Sequence, residues 1–258
     1  MQYGVITITD VDATDEKATR KLCEKIGPIH NTFFGYFWVF GVNTEEDETD
    51  DRQDTAYSNE EIGLHNDGTY FEQTPGIQVF HCLVPAKVGG ETILSDGFYA
   101  AEKLRQNYPE YFEILSKVPI EHHYLEGMSD RFENASVKLY SRSIAPVITC
   151  FNGKIVQVRL NPYDRAPFRT LNFSPNSEKT ALETIKFYEA YEKFSQLCNA
   201  PEAAIKIALK PGTVIFIDNY RVFHSRTEFQ GSRKMCGCYL SRDNFLAKVR
   251  PLLKIDEL

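Results

Sequence analysis

Four residues in this chain have types and spacing that suit metal-centred oxidation: His65, Asp67, His224 and Arg233. Two histidines and one carboxylate make the ligand set that caps one face of a non-haem iron(II) and leaves the opposite face open. His65 and Asp67 stand two apart in GLHNDGTYF. Residues i and i+2 of a β-strand project from the same face, so one short strand can present both to one ion. His224, in FIDNYRVFH, would be the third ligand. Arg233 follows shortly, in GSRKMCGCY. Its rigid guanidinium fork suits a bidentate carboxylate, the clamp that an oxygenase consuming a keto acid needs. The other reading is two surface-loop residues and a hydrogen-bonded core histidine.

Any such site needs a framework. The chain has 258 residues, enough for one large domain with a substantial core. Apolar residues make up 42% and aromatic residues 13%, which excludes a disordered chain. The net charge of −7 argues against nucleic acid or an anionic membrane surface as partner. No apolar run reaches the roughly 18 residues that span a bilayer. MQYGVITITDVD has neither a basic region before an apolar core nor an Arg-rich amphipathic pattern, so a cytoplasmic location is expected. The terminal IDEL is read as coincidence. Six cysteines without scaffold spacing suit a reducing compartment, and Cys236 and Cys238 are read as small packed residues on one strand face.

Periodicity supplies the elements. Val5 to Thr9 alternates as a strand. Asp15 to Ile26 reads as a helix stopped by Gly27-Pro28. The aromatic run Phe33 to Phe40 reads as a strand, and the acidic TEEDETDDRQD after it as a solvated loop. Gly76 to Leu83 is a strand with Ile77, Val79, His81 and Leu83 on one face, so His81 is read as a core histidine. GGETILSDG is a short strand. Phe98 to Asn107 and Pro109 to Lys117 are helices, the second with proline in its first turn. PVITCFNGKIVQVRL carries Asn152-Gly153, the preferred type I′ hairpin turn. Ser177 to Cys198 is an amphipathic helix. IKIAL and TVIFID, flanking Pro211-Gly212, read as a hairpin-like pair, and KMCGCYLS as the closing strand. In that strand Arg233, Met235, Gly237 and Tyr239 share one face. Many short strands with few βαβ alternations predict a mainly β fold with helices, an antiparallel double-sheet barrel or jelly roll.

Several motifs in order carry a wider resemblance: HNDGTYFEQTPGIQVFHC, GGETILSDGFYAAEKL, FEILSKVPIEHHY, FIDNYRVFH and CGCYLSRD. From about Tyr3 to Leu253 the chain resembles the iron(II)/2-oxoglutarate oxygenases of carnitine synthesis. Within them the trimethyllysine branch is the nearer and the γ-butyrobetaine branch the next. The resemblance implies a double-stranded β-helix with His65, Asp67 and His224 as ligands of Fe(2+). It gives Arg233 and Thr92 to the distal carboxylate of 2-oxoglutarate and implies ascorbate as reductant. The implied substrate is a small quaternary ammonium amino acid, hydroxylated at its β-carbon. Such an ion cannot donate a hydrogen bond and is held by aromatic faces, at roughly 0.5–2 kcal/mol each. Trp38, Tyr57 and Tyr239 match the family's cage positions. Phe34 stands where relatives tend to carry tyrosine, and so keeps the ring face without the hydroxyl. Asn161, in VRLNPYDRA, matches a contact for the substrate carboxylate; a turn-forming asparagine is the alternative. Members usually carry a small N-terminal metal-binding domain, so residues 1–258 are expected to be a single catalytic domain without it. A mitochondrial location is the alternative if the sequence continues N-terminally, and the family allows a homodimer. The rival functions are γ-butyrobetaine hydroxylation and a non-catalytic barrel of the same fold.

Overall fold

The computed structural model describes residues 2–42, 58–126, 139–168 and 178–253, without the side chains of residues 42 and 178–180. In chain order the elements are β1 (Val5–Ile8), α1 (Glu16–Ile26), β2 (Trp38–Val42), β3 (Ile62–His65), β4 (Ile77–Val84), β5 (Val88–Gly89) and β6 (Thr92–Asp96). Then come α2 (Gly97–Asn107), α3 (Pro109–Lys117), β7 (Pro119–Glu126), β8 (Leu139–Pro146), β9 (Ile148–Phe151), β10 (Lys154–Val158) and α4 (Glu178–Cys198). The chain finishes with β11 (Ala204–Ile207), β12 (Val214–Asp218), β13 (Val222–Arg226), β14 (Phe229–Gln230), β15 (Arg233–Leu240) and α5 (Arg242–Val249). The fold divides into two compact units, Met1–Leu64 with Pro75–Leu94 and Ile205–Leu258, and His65–Thr74 with Ser95–Ala204.

The first unit carries the β framework. One sheet has the order β1-β12-β4-β15-β2, with each neighbouring pair antiparallel. The second has the order β11-β6-β13-β3. Alternation along the five-stranded sheet separates two cores. On one face Ile77, Val79, Val214, Phe216, Cys238 and Leu240 pack with Cys23 of α1. On the other Ile215 and Ile217 pack with Leu94 of β6 and Val222 of β13, and Phe80 lies against them. Side chains from both sheets thus meet in one layer, the arrangement of the double-stranded β-helix that the strand pattern predicts. His81 is fully buried under α1, where Thr19 Oγ1 lies 2.6 Å from its Nδ1; it is a core histidine. All six cysteines are free.

In the second unit α2, α3 and α4 pack together and α2 and α3 lie on the β9–β10 hairpin. Asp96 caps α2 by accepting from the backbone N–H groups of Phe98 and Tyr99. Asn152 (φ 47°) and Gly153 (φ 74°) both take the left-handed conformation that a type I′ turn requires. β7 and β8 form an eight-residue antiparallel pair.

Two sequence expectations are corrected. The strand expected from Phe33 begins only at Trp38, because Thr32 and Gly35 exchange backbone hydrogen bonds in a turn with Gly35 at φ 99°. IKIAL and TVIFID do not pair: β11 lies beside β6 in one sheet, and β12 between β1 and β4 in the other. The Pro211-Gly212 turn carries the chain from sheet to sheet. Gly212 (φ 81°) donates its N–H to the Cys82 carbonyl of β4 and accepts from the Val11 N–H. The acidic run at 44–54 lies outside the described residues.

Candidate metal centre

His224 sits mid-way along β13, where every residue is buried. It shares a strand face with Val222 and so points into the layer between the sheets. The Phe80 ring packs edge-on 5.3 Å from its imidazole. His65 is the last residue of β3.

Asp67 does not continue that strand, contrary to the i, i+2 expectation. It lies past the strand end, just before the turn closed by the Phe71 N–H on the Gly68 carbonyl. It nonetheless meets His65, with 3.3 Å between Nε2 and Oδ1. The reason is Asn66, which is fully buried and clamped on three sides. Its N–H donates to the Leu160 carbonyl, its Oδ1 accepts from the Leu160 N–H, and its carbonyl accepts from Asn161 Nδ2. Leu160 thereby extends a ladder that β3 itself has ended. The ligand atoms of His65, Asp67 and His224 all lie within 4.8 Å of one another, the one such group among the described residues. Two imidazoles and one carboxylate on this scale fit the capping set of a divalent iron.

Arg233, at the start of β15, is 7% exposed, with its guanidinium 5.7 Å from the Phe229 ring centroid. Burial lowers its pKa and raises that of Cys82, and each group's charge opposes the other's shift. Its Nη1 has no hydrogen-bond partner among the described residues. A buried cation with an unbonded N–H calls for an anion. Thr92, buried, opens β6 on the face it shares with Leu94. These residues suit a ligand with a carboxylate, as 2-oxoglutarate has.

The expected aromatic positions fall unevenly. Trp38 and Tyr239 form a pair, ring centroids 4.7 Å apart and tilted by 56°. Phe34 is half-buried in the Thr32–Gly35 turn against Phe33, with centroids 4.5 Å apart. Tyr57 lies outside the described residues. Asn161 takes the turn-forming role: its Oδ1 accepts from the backbone of Tyr163 and Asp164, while Nδ2 donates to Asn66 and Asp164. Both ends of its carboxamide are engaged, the oxygen within its own turn and the nitrogen on Asp164 and on the Asn66 carbonyl. Sequence reasoning passed over Asn66 and Phe80. The signal for Asn66 was an amide between two candidate ligands; that for Phe80 was the second face of β4.

A family model described as taurine catabolism dioxygenase TauD, TfdA family matches residues 1–239. The chain belongs to this family. Its TauD/TfdA relatives include trimethyllysine dioxygenase, mitochondrial, of Bos taurus, 39% identical over 97% of this chain and 55% of the relative. Another is γ-butyrobetaine dioxygenase of Pseudomonas sp., 31% identical over 92% of this chain and 56% of the relative. The chain therefore spans about half the length of the curated relatives it matches. Among solved structures, an asparagine oxygenase in complex with Fe(II), a hydroxyasparagine and succinate superimposes with a TM-score of 0.63 at 15% identity, over 98% of this chain and 78% of that one. That likeness confirms the double-stranded β-helix. Among the described residues, no helix is long and apolar enough to cross a membrane.

Proposed function

We propose that this TauD/TfdA chain is an iron(II)- and 2-oxoglutarate-dependent hydroxylase of trimethyllysine, acting at the β-carbon in the first step of carnitine synthesis. The observation that carries it is the convergence of His65, Asp67 and His224 within 4.8 Å. The relatives named trimethyllysine dioxygenase support the choice of substrate. Iron(II) and 2-oxoglutarate, when bound, supply the oxidation: the keto acid is cleaved to succinate and carbon dioxide, and dioxygen divides its atoms between succinate and substrate.

The chain's own residues bind and orient. His65, Asp67 and His224 hold the ion by one face. Arg233 and Thr92 would take the far carboxylate of 2-oxoglutarate and so orient the keto acid. Trp38 and Tyr239 would offer ring faces to the quaternary ammonium, with Tyr57 and Phe34 as the further aromatic candidates. Asn161 acts through Asn66, as a positioning residue for Asp67 rather than as a contact for the substrate. The burial of His224 and Arg233 keeps water from the reacting centre. Ascorbate is the reductant expected to keep the iron ferrous.

The test is mass-spectrometric turnover with iron(II), 2-oxoglutarate, ascorbate and air, offering trimethyllysine and γ-butyrobetaine separately. A gain of one oxygen atom on trimethyllysine, matched by succinate and lost in Asp67→Ala, is expected. Gain on γ-butyrobetaine alone would transfer the reading to the substrate of the other relative. Full turnover by Asp67→Ala would overturn the metal centre.

A further inference from the structure

Phe229 is buried at the start of β14, shortly before Arg233 in the chain. A buried phenylalanine ordinarily packs among apolar side chains. This one is met by two cations. The Arg226 guanidinium lies 5.0 Å from its ring centroid and the Arg233 guanidinium 5.7 Å. Both arginines are almost wholly withdrawn from water. Like charges beside one ring repel each other more strongly there than in water. The negative face of an aromatic ring offsets that repulsion, and an aliphatic side chain of the same size does not.

The ring and one of its two cations are fixed by bonds to the backbone. The Phe229 N–H donates to the Asn59 carbonyl, and Phe229 stands opposite Gly89 in the pairing of β14 with β5. Arg226 Nη2 donates to the carbonyls of Ser58, at 2.7 Å, and Glu60, at 2.6 Å. Arg233 comes to the same ring from β15. Between them lies Gly90 (φ 72°), where a Cβ would stand 3.0 Å from Ala86 Cβ, 3.3 Å from Phe229 Cβ and 3.6 Å from Arg233 Cδ. The Arg233 stem and the Phe229 side chain therefore pack over one bare glycine, which has no room for a side chain of its own.

We infer that Phe229 is a positioning residue for the co-substrate: its ring sets the direction of the Arg233 guanidinium, and with it the affinity for the distal carboxylate of 2-oxoglutarate. This deepens the proposed function and rests on its assignment of Arg233 to that carboxylate. An arginine side chain has several rotatable bonds, and its fork grips a carboxylate with two bonds only when the two planes meet. Resting on an anchored ring removes part of that freedom before the anion arrives, so less ordering entropy opposes binding. Phe229 acts through Arg233 and need not touch the keto acid.

The experiment is anaerobic calorimetric titration of the full chain, loaded with iron(II), against 2-oxoglutarate. Two changes are made at this position. A trifluorinated phenylalanine, incorporated site-specifically, keeps the shape of the ring and drains its negative face. Phe229→Met keeps an apolar chain and removes the face. Each change is also placed in an Arg233→Ala background. In the single variants the Kd for 2-oxoglutarate should rise about 3- to 30-fold. The fluorinated protein should keep the Tm and the iron(II) affinity of wild type. In the Arg233→Ala background neither change should add more than about 2-fold, because the ring then has no guanidinium to aim at the carboxylate. Equal rises in both backgrounds would make Phe229 a packing residue and overturn the inference, as would a Kd indifferent to fluorination. If wild type does not bind 2-oxoglutarate, or Arg233→Ala binds it as tightly as wild type, the proposed role of Arg233 falls and the inference with it. If Arg233→Ala weakens binding and the changes at Phe229 do not, only the role of Phe229 falls.

Discussion

Arg233 concentrates the electrostatics of the pocket. Its guanidinium is almost entirely withdrawn from water, rests against Phe229, and leaves Nη1 without a partner among the described residues. Such a group is costly until an anion meets it, so its interaction energy is available to whichever carboxylate arrives. A hydrogen bond to a charged group contributes about 1.5–3 kcal/mol, or roughly 10- to 100-fold in affinity. Arg233→Ala should therefore raise the KM for 2-oxoglutarate by about that factor and leave kcat at saturating co-substrate within a few-fold. Arg233→Lys should restore little, because an ammonium cannot reproduce the fork. Steady-state rates against 2-oxoglutarate concentration check this; an unchanged KM with a lowered kcat would count against the clamp.

At the scale of elements, the metal loop is positioned by a clamp rather than by a strand. β3 ends at His65, and Asn66 is held by Leu160 and Asn161 as though the ladder continued. Asn66→Ala removes the acceptor for the buried Leu160 N–H and loosens the residue between two ligands. Groups that orient ligands typically account for 10- to 100-fold in metal affinity. Asn66→Ala should weaken iron(II) binding by about that much while circular dichroism stays native-like; equilibrium dialysis reads the first, and an unchanged Kd would show the clamp to be dispensable. The same contrast explains what the sequence made legible. Residue type and spacing pointed to His65, Asp67 and His224, whose ligand atoms do gather, and to Arg233, which is buried. The partner of a strand was not legible, because alternation encodes faces and not neighbours. TVIFID alternates just as a hairpin strand would, yet its turn crosses between sheets. β7 escaped notice because Glu121, His122 and His123 interrupt its apolar alternation, and Ser141, Arg142 and Ser143 interrupt that of its partner LYSRSIAP. Asn161 left two readings open in the sequence, a ligand contact or a turn-forming residue, and its amide makes the hydrogen bonds of a turn.

At the scale of the described molecule, three histidines withdrawn from water shape the response to acid. Burial lowers the pKa of His30, His81 and His122. His122 is carried from 6.5 down to about 3 by desolvation, with the charges of Arg159, Arg165 and His123 acting in the same direction. A group depressed in the folded state is neutral there while the unfolded chain takes up its proton. Its contribution to stability is therefore complete above pH 6.5 and is lost as the pH falls from there toward 3. Asp218, raised above the ordinary carboxylate range by burial against the pull of Arg242, works in the opposite sense. Between pH 7.5 and 5.5 the His122 contribution alone amounts to about 1.4 kcal/mol of lost stability. Urea unfolding of the metal-free chain at those two values measures it, with chelator present so that no bound ion contributes. His122→Phe keeps a buried ring and removes the titration. Its stability should fall by about 1.4 kcal/mol less than wild type over the same interval, and an equal fall in both would mean that His122 is not held neutral in the fold.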